Sequence, residues 1–325
     1  MGSLRTFLVK AGVLAVLVIA CNEAAWRALR VPTTFRDTPA LWSKVRRECD
    51  GSTSKVVLIG SSRFQAGLDT EAMSRTLPDH RFYQLSMHAS GAMPVLEDLA
   101  QDVDFRGTVI AEFLPPWLWA DRETWSQQPV TALVEYAHRE HFGNVIENEL
   151  QMFGEERFAF FNPSARFWLA AGQLWRTGFF QPPMTRIDRH RNAQISLRAG
   201  DVKTETEKWM ALERDIAQKW RPAGSALLFR QVAGWTRQIQ ARGGSVIFFQ
   251  MAVDGPVRDF EDQTYPADRY FDPFSHSLSI PLLSYKNYPE LANYRCPDGS
   301  HLDAADAPRF SEAFARILER ERLLR

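Results

Sequence analysis

The chain has 325 residues, enough to bury one large core or a core with a subdomain. Hydrophobic residues make up 45% and charged residues 24%, ordinary globular usage that argues against disorder. Lys+Arg and Asp+Glu balance at 39 each, so there is no global basic field for nucleic acid and no acidic tail.

Arg5 and Lys10 precede an apolar run from Ala11 to Cys21 that Asn22-Glu23 ends. A basic segment before an apolar one of this length reads as a signal anchor over residues 1–25. A full span needs about 20 apolar residues, reached by counting from Phe7 to Ala25 with Lys10 and Glu23 snorkelling at its ends. A buried amphipathic helix is one alternative. A lipoprotein site at Val18-Ile19-Ala20-Cys21 is another, weakened by the isoleucine before the small residue. An uncleaved anchor would tether the chain to the cytoplasmic membrane with its bulk on the extracytoplasmic (periplasmic) side. Cys49 and Cys296 then form a bridge in an oxidising compartment or remain two buried thiols.

Residues 26–54 form a polar connector. Lys55 to Gly60 is a short β-branched apolar run closed by glycine, which predicts a strand buried on both faces. A helix follows from the N-cap Asp69 to Leu77, then a strand at Arg81 to Leu85 and a helix at Met93 to Val103. Gly107 to Phe113 is a third strand, stopped by Pro115-Pro116. Leu228, Val232, Trp235 and Ile239 give Ala226 to Arg242 an apolar helical face, and Gly243-Gly244 leads into a strand at Ser245 to Phe249. A last helix starts near Ala307. Strands alternating with helices predict an α/β fold with a doubly wound parallel sheet. Its core covers residues 55–120 and 226–325, with a mainly helical, aromatic-rich insertion at 121–225. Within the insertion Val130 to Phe153 and Thr204 to Trp220 read as helices. Phe158 to Phe180 reads as its packed aromatic core, with contact to a bilayer or sugar rings as the alternatives.

Gly60-Ser61-Ser62-Arg63 lies between a buried strand and a helix, where backbone N–H groups face outward and can hold an oxyanion. A serine there needs a base. Asp298-Gly299-Ser300-His301, just before the last helix, offers one, with a carboxylate three residues away to fix the imidazole tautomer. Alone, each tetrad is an ordinary turn, and Gly60-Ser61-Ser62 also suits a phosphate nest. Their conjunction points to Ser62, His301 and Asp298 as a catalytic set. Arg63 and His88 are candidates for substrate contact, with a structural clamp and a solvated loop histidine as their plainer readings. His138 and His141 with Glu135 and Glu140 have helical spacing but lack a third convincing ligand, so no metal or cofactor is expected. His190 among Arg186, Arg189 and Arg191 reads as solvated charge, with contact to anionic lipid or glycan as the alternative.

On these two tetrads the chain resembles the SGNH (GDSL-like) hydrolase superfamily, over roughly Lys55 to Phe113 and Ala226 to Arg325. The resemblance implies a flavodoxin-like three-layer α/β/α sandwich. It makes Ser62 the nucleophile, with Asp298 and His301 matching the last block. It makes Gly91, in Ser86-Met87-His88-Ala89-Ser90-Gly91-Ala92, a partner of Ser62 in the oxyanion hole. Ser61 stands where the family has aspartate, and Glu112-Phe113-Leu114 replaces the Gly-x-Asn-Asp block. Gly-Ser-Ser-Arg behind an anchor is similar to the membrane-tethered branch that handles acyl groups of cell-surface polysaccharides.

The implied activity is a serine esterase or O-acyltransferase acting on acyl, best acetyl, esters of an envelope or exported polysaccharide. The implied partners are an acylated glycan or acyl-carrier substrate and a membrane-bound acyltransferase, with no nucleic acid. The rival is a catalytically weak scaffold of polysaccharide assembly.

Overall fold

A computed structural model gives the fold and describes residues 2–120, 124–181, 183–219 and 225–324. Seven strands are present among them: β1 (Lys55–Ile59), β2 (Arg81–Gln84), β3 (Thr108–Glu112), β4 (Thr185–Ile187), β5 (Ala193–Ile195), β6 (Ser245–Gln250) and β7 (Leu282–Ser284). Five form one parallel sheet in the order β2-β1-β3-β6-β7, the flavodoxin-like arrangement. The three-residue edge strand β7 has no counterpart among the predicted strands; so short a run carries no periodicity.

The alternation of each strand divides the core in two. Val57, Ile59, Val109, Ala111, Val246 and Phe248 face one layer, while Val56, Leu58, Ile110, Ile247 and Phe249 face the other. The first layer holds α2 (Pro39–Arg47), α5 (Met93–Gln101), α7 (Gln128–Arg139), α11 (Ser225–Ala241) and α13 (Phe271–Leu278). The second is built on α3 (Ser62–Gly67), α4 (Thr70–Thr76), α12 (Gly255–Thr264) and α15 (Ala307–Arg320), with the short helix α14 (Pro289–Ala292) at its margin, while the short helix α6 (Pro115–Leu118) sends Leu118 into the first layer. The connector is therefore more than a linker: α2 buries Trp42, whose indole N–H donates to the Leu85 carbonyl at 3.0 Å.

The insertion leaves the carboxyl end of β3, so it starts at the sheet edge where such folds bind ligands. Its helices are α7, α8 (Phe142–Arg157), α9 (Phe167–Thr177) and α10 (Val202–Lys219), and β4 and β5 pair as an antiparallel hairpin. The single helix predicted from Val130 to Phe153 is broken at Glu140, which is extended (φ −65°, ψ 131°). Its carboxylate is held by Ser43 and Arg47 of α2, and this tertiary grip outweighs the local helical pattern. The basic cluster around His190 also differs from expectation. Arg191 is fully buried, donating to both Asp37 carboxylate oxygens at 2.7 and 2.9 Å and to the Gln84 carbonyl at 2.9 Å.

The N-terminal helix α1 (Gly2–Ala28) is long and apolar enough to cross a membrane, and its apolar residues from Leu4 to Ile19 are exposed. Its last turns belong to the globular body: Glu23 accepts the N–H groups of Ala159 and Phe160, and Trp26 is buried. Cys49 and Cys296 are free thiols in opposite layers of the core, so the sheet keeps them from bridging. Burial raises both thiols well above their ordinary pKa.

Candidate active site

β1 sits at the point where the chain order reverses, between β2 and β3, and Ser62 opens the helix that follows it. Ser61 caps α3, its hydroxyl accepting the Arg63 N–H at 3.2 Å. Its own N–H donates to Glu112 Oε2 at 2.5 Å, so the end of β3 holds the turn from behind. This requires Gly60: a Cβ there would lie 2.6 Å from the Glu112 Cβ. Ser62, in the first turn, has an N–H without an intrahelical acceptor.

The second half of the site comes from the loop before α15. Gly299 adopts φ +84°, and a Cβ there would meet Val257 at 2.6 Å, so glycine alone suits the turn. Asp298 Oδ1 accepts the N–H groups of Ser300 at 2.9 Å and His301 at 2.7 Å. Its Oδ2 lies 2.9 Å from His301 Nδ1, and His301 Nε2 lies 2.9 Å from Ser62 Oγ. With Nδ1 protonated toward Asp298, Nε2 is left to accept the serine hydroxyl. Burial works against the Asp298 carboxylate. The hydrogen bond and charge of His301, with the two backbone donors, overcome it and hold the group below the usual carboxylate pKa. All three side chains are buried, Ser62 retaining 7% of its surface.

Ser62, His301 and Asp298 are thus brought together as expected. Gly91 is not placed as an oxyanion donor. Its N–H donates to the Ser126 carbonyl at 3.1 Å, and the missing side chain makes room for Gln127, whose Nε2 donates to the Trp117 carbonyl at 2.7 Å. Arg63 does not face substrate either. Its Nε donates to Ser300 Oγ at 3.0 Å, and its Nη2 to Glu261 at 2.5 Å and Glu213 at 3.1 Å. The guanidinium is a buried clamp joining the serine turn to the histidine loop. His88 is exposed, its ring 6.1 Å from Trp209. Partial desolvation and the nearby His301 lower its pKa. Of the helical pair, His138 is engaged elsewhere, with its Nε2 2.6 Å from Asp98.

Three residues of the site lie outside the sequence reading, Trp209 and Glu213 on α10 and Glu261 on α12. The Trp209 ring lies 4.7 Å from that of His301, and Glu213 bonds Arg63. Burial and the carboxylates of Glu261 and Glu112 outweigh Arg63 and push Glu213 up to about 7. An acid on the same helical stripe as Met210 and Ile216 was the available signal, since all three are buried.

No family profile and no curated relative matches the chain. Among solved structures, that of TesA aligns with 82% of this chain and 98% of its own length at 12% identity and a TM-score of 0.33, a likeness too loose to bear on function.

Proposed function

We propose that this protein is an SGNH-like serine esterase or O-acyltransferase, anchored in the cytoplasmic membrane by α1 with its body on the periplasmic side. The hydrogen-bonded series Ser62–His301–Asp298 carries the reading, because residues 239 positions apart meet at 2.9 Å in donor–acceptor order. In the first half-reaction Ser62 Oγ bonds to the ester carbonyl carbon while its proton passes to His301 Nε2. The oxyanion is held by the Ser62 N–H at the start of α3. Collapse expels the alcohol, which takes the proton from His301, and leaves an acyl-Ser62 ester. Water or a sugar hydroxyl then gives its proton to His301 and bonds to the acyl carbon; the acyl–Oγ bond breaks, and Ser62 Oγ takes the proton back from His301. An acetyl ester of an envelope or exported polysaccharide is the proposed substrate, with a membrane-bound acyltransferase as the partner supplying acyl groups.

A second reading, a glycan-binding scaffold with a residual triad, is favoured by one observation: the Gly91 N–H is already engaged by Ser126. Assay of the detergent-solubilised full chain on p-nitrophenyl acetate and acetylated glycan separates the two. Turnover lost in His301→Ala supports the enzyme, whereas glycan binding without turnover supports the scaffold.

A further inference from the structure

Residues 157–187 contain no acidic side chain and four arginines, Arg157, Arg166, Arg176 and Arg186, in a chain whose overall charge is balanced. This stretch carries α9, which was expected to pack as core. Its inner side does so in part: Ala170 is buried, and Phe167, itself still half-exposed, stacks on Trp26 of α1 with centroids 4.6 Å apart. Its outer side does not. Trp168 and Trp175, seven residues apart and so on one face, are 69% and 88% exposed. Leu169 and Leu174 flank them, also exposed.

The place of α9 relative to α1 decides what covers this face. The exposed apolar part of α1 gives way at Asn22-Glu23, where the chain enters the body. Trp26 lies five residues beyond Cys21, an axial rise of about 8 Å. A bilayer around α1 would therefore place α9, stacked on Trp26, at headgroup height. Tryptophan favours that layer because its ring is apolar and its N–H is polar. Arg166 and Arg176 at the two ends of α9 have no acidic residue near them in sequence and suit anionic headgroups.

We propose that α9 is an interfacial helix that lies on the anionic bilayer surface beside α1, with Trp168 and Trp175 inserted at the headgroup–acyl boundary. This rests on the reading of α1 as a membrane anchor and goes beyond it. A single span lets a body swivel and tilt, whereas a second contact beside it fixes one face of the insertion toward the membrane.

The test uses the full chain in nanodiscs of phosphatidylethanolamine and phosphatidylglycerol, with Cys21→Ala to remove the exposed thiol. A nitroxide is attached in turn at Trp168→Cys, Trp175→Cys, Val16→Cys within α1, and Val103→Cys. Val103 is exposed near the amino-terminal edge of the sheet and serves as the water control. Collisions with oxygen and with a water-soluble nickel chelate report depth. The expected oxygen-to-nickel ratio at 168 and 175 is severalfold above that at 103 and approaches that at 16. A lipid-like label at 16 with water-like labels at 168 and 175 would overturn the proposal while leaving the anchor intact. Labels at 168 and 175 shielded from both reagents would assign the face to a second copy of the chain and also overturn it. A water-like label at 16 would remove the anchor reading and this proposal together.

Discussion

Arg63 Nε donates to Ser300 Oγ at 3.0 Å, so the residue after the candidate nucleophile is bonded to the residue before the candidate base. The bond ties two loops whose relative position sets the Ser62–His301 distance. Glu213 and Glu261 hold the other end of the guanidinium. Arg63→Met would leave buried carboxylates without their cation, at a cost of about 3–5 kcal/mol. Ser300→Ala removes one charge-assisted bond and should cost about 1–2 kcal/mol. Denaturant midpoints give the ranking. Equal effects of the two variants would contradict the clamp.

Glu213 supplies a pH dependence. Its ordinary value is 4.5 and the folded protein pushes it up to about 7, so the native state keeps a proton that the unfolded chain has lost. A raised pKa contributes stability that is fully present below the unfolded value and is lost as pH rises through the folded one. Wild type should lose on the order of 2–3 kcal/mol between pH 5 and pH 8 from this group. Glu213→Gln should lose less over the same interval. Urea melts of both proteins at the two pH values check it, and parallel losses would refute the assignment.

Gly60→Ala tests the packing behind the turn. The new methyl would overlap the Glu112 Cβ, which is fixed to β3 and cannot rotate away. The expected cost is about 1–3 kcal/mol with a large fall in activity. Gly67→Ala overlaps only the terminal methyl of the flexible Met251 side chain, its other neighbours lying at ordinary contact distance, and should be milder. A thermal melt in which Gly67→Ala is the more damaged variant would count against this account.

Trp209 covers His301 from the insertion without bonding to the triad. Trp209→Ala should raise KM for an ester substrate severalfold more than it lowers kcat, and Trp209→Phe should restore most of the loss. Steady-state kinetics on both variants decide the point. A fall confined to kcat, unrescued by phenylalanine, would place Trp209 in the chemistry itself.

The serine turn and the Asp298–His301 loop were legible because each is a local pattern attached to an apolar strand or a helix start. The sheet was legible for the same reason: β1, β3 and β6 are continuous apolar runs. What lay outside the sequence's reach depends on contacts between distant segments. Gly91 was read as a donor of its N–H, but the fold uses its missing side chain to admit Gln127. Sequence alone leaves Arg63 open between substrate and clamp, because its partner Glu213 lies 150 residues away. Trp168 and Trp175 carry the same apolar signal whether they face a core or a membrane, and only their exposure separates the two.

The central claim is that Ser62 is a nucleophile activated by His301. Its most direct test is labelling of the detergent-solubilised full chain with a fluorescent fluorophosphonate, followed by mass mapping of the modified peptide. The expected result is a single adduct on Ser62, absent in Ser62→Ala and strongly slowed in His301→Ala. Persistent labelling of Ser62→Ala, or a rate indifferent to His301, would contradict the account.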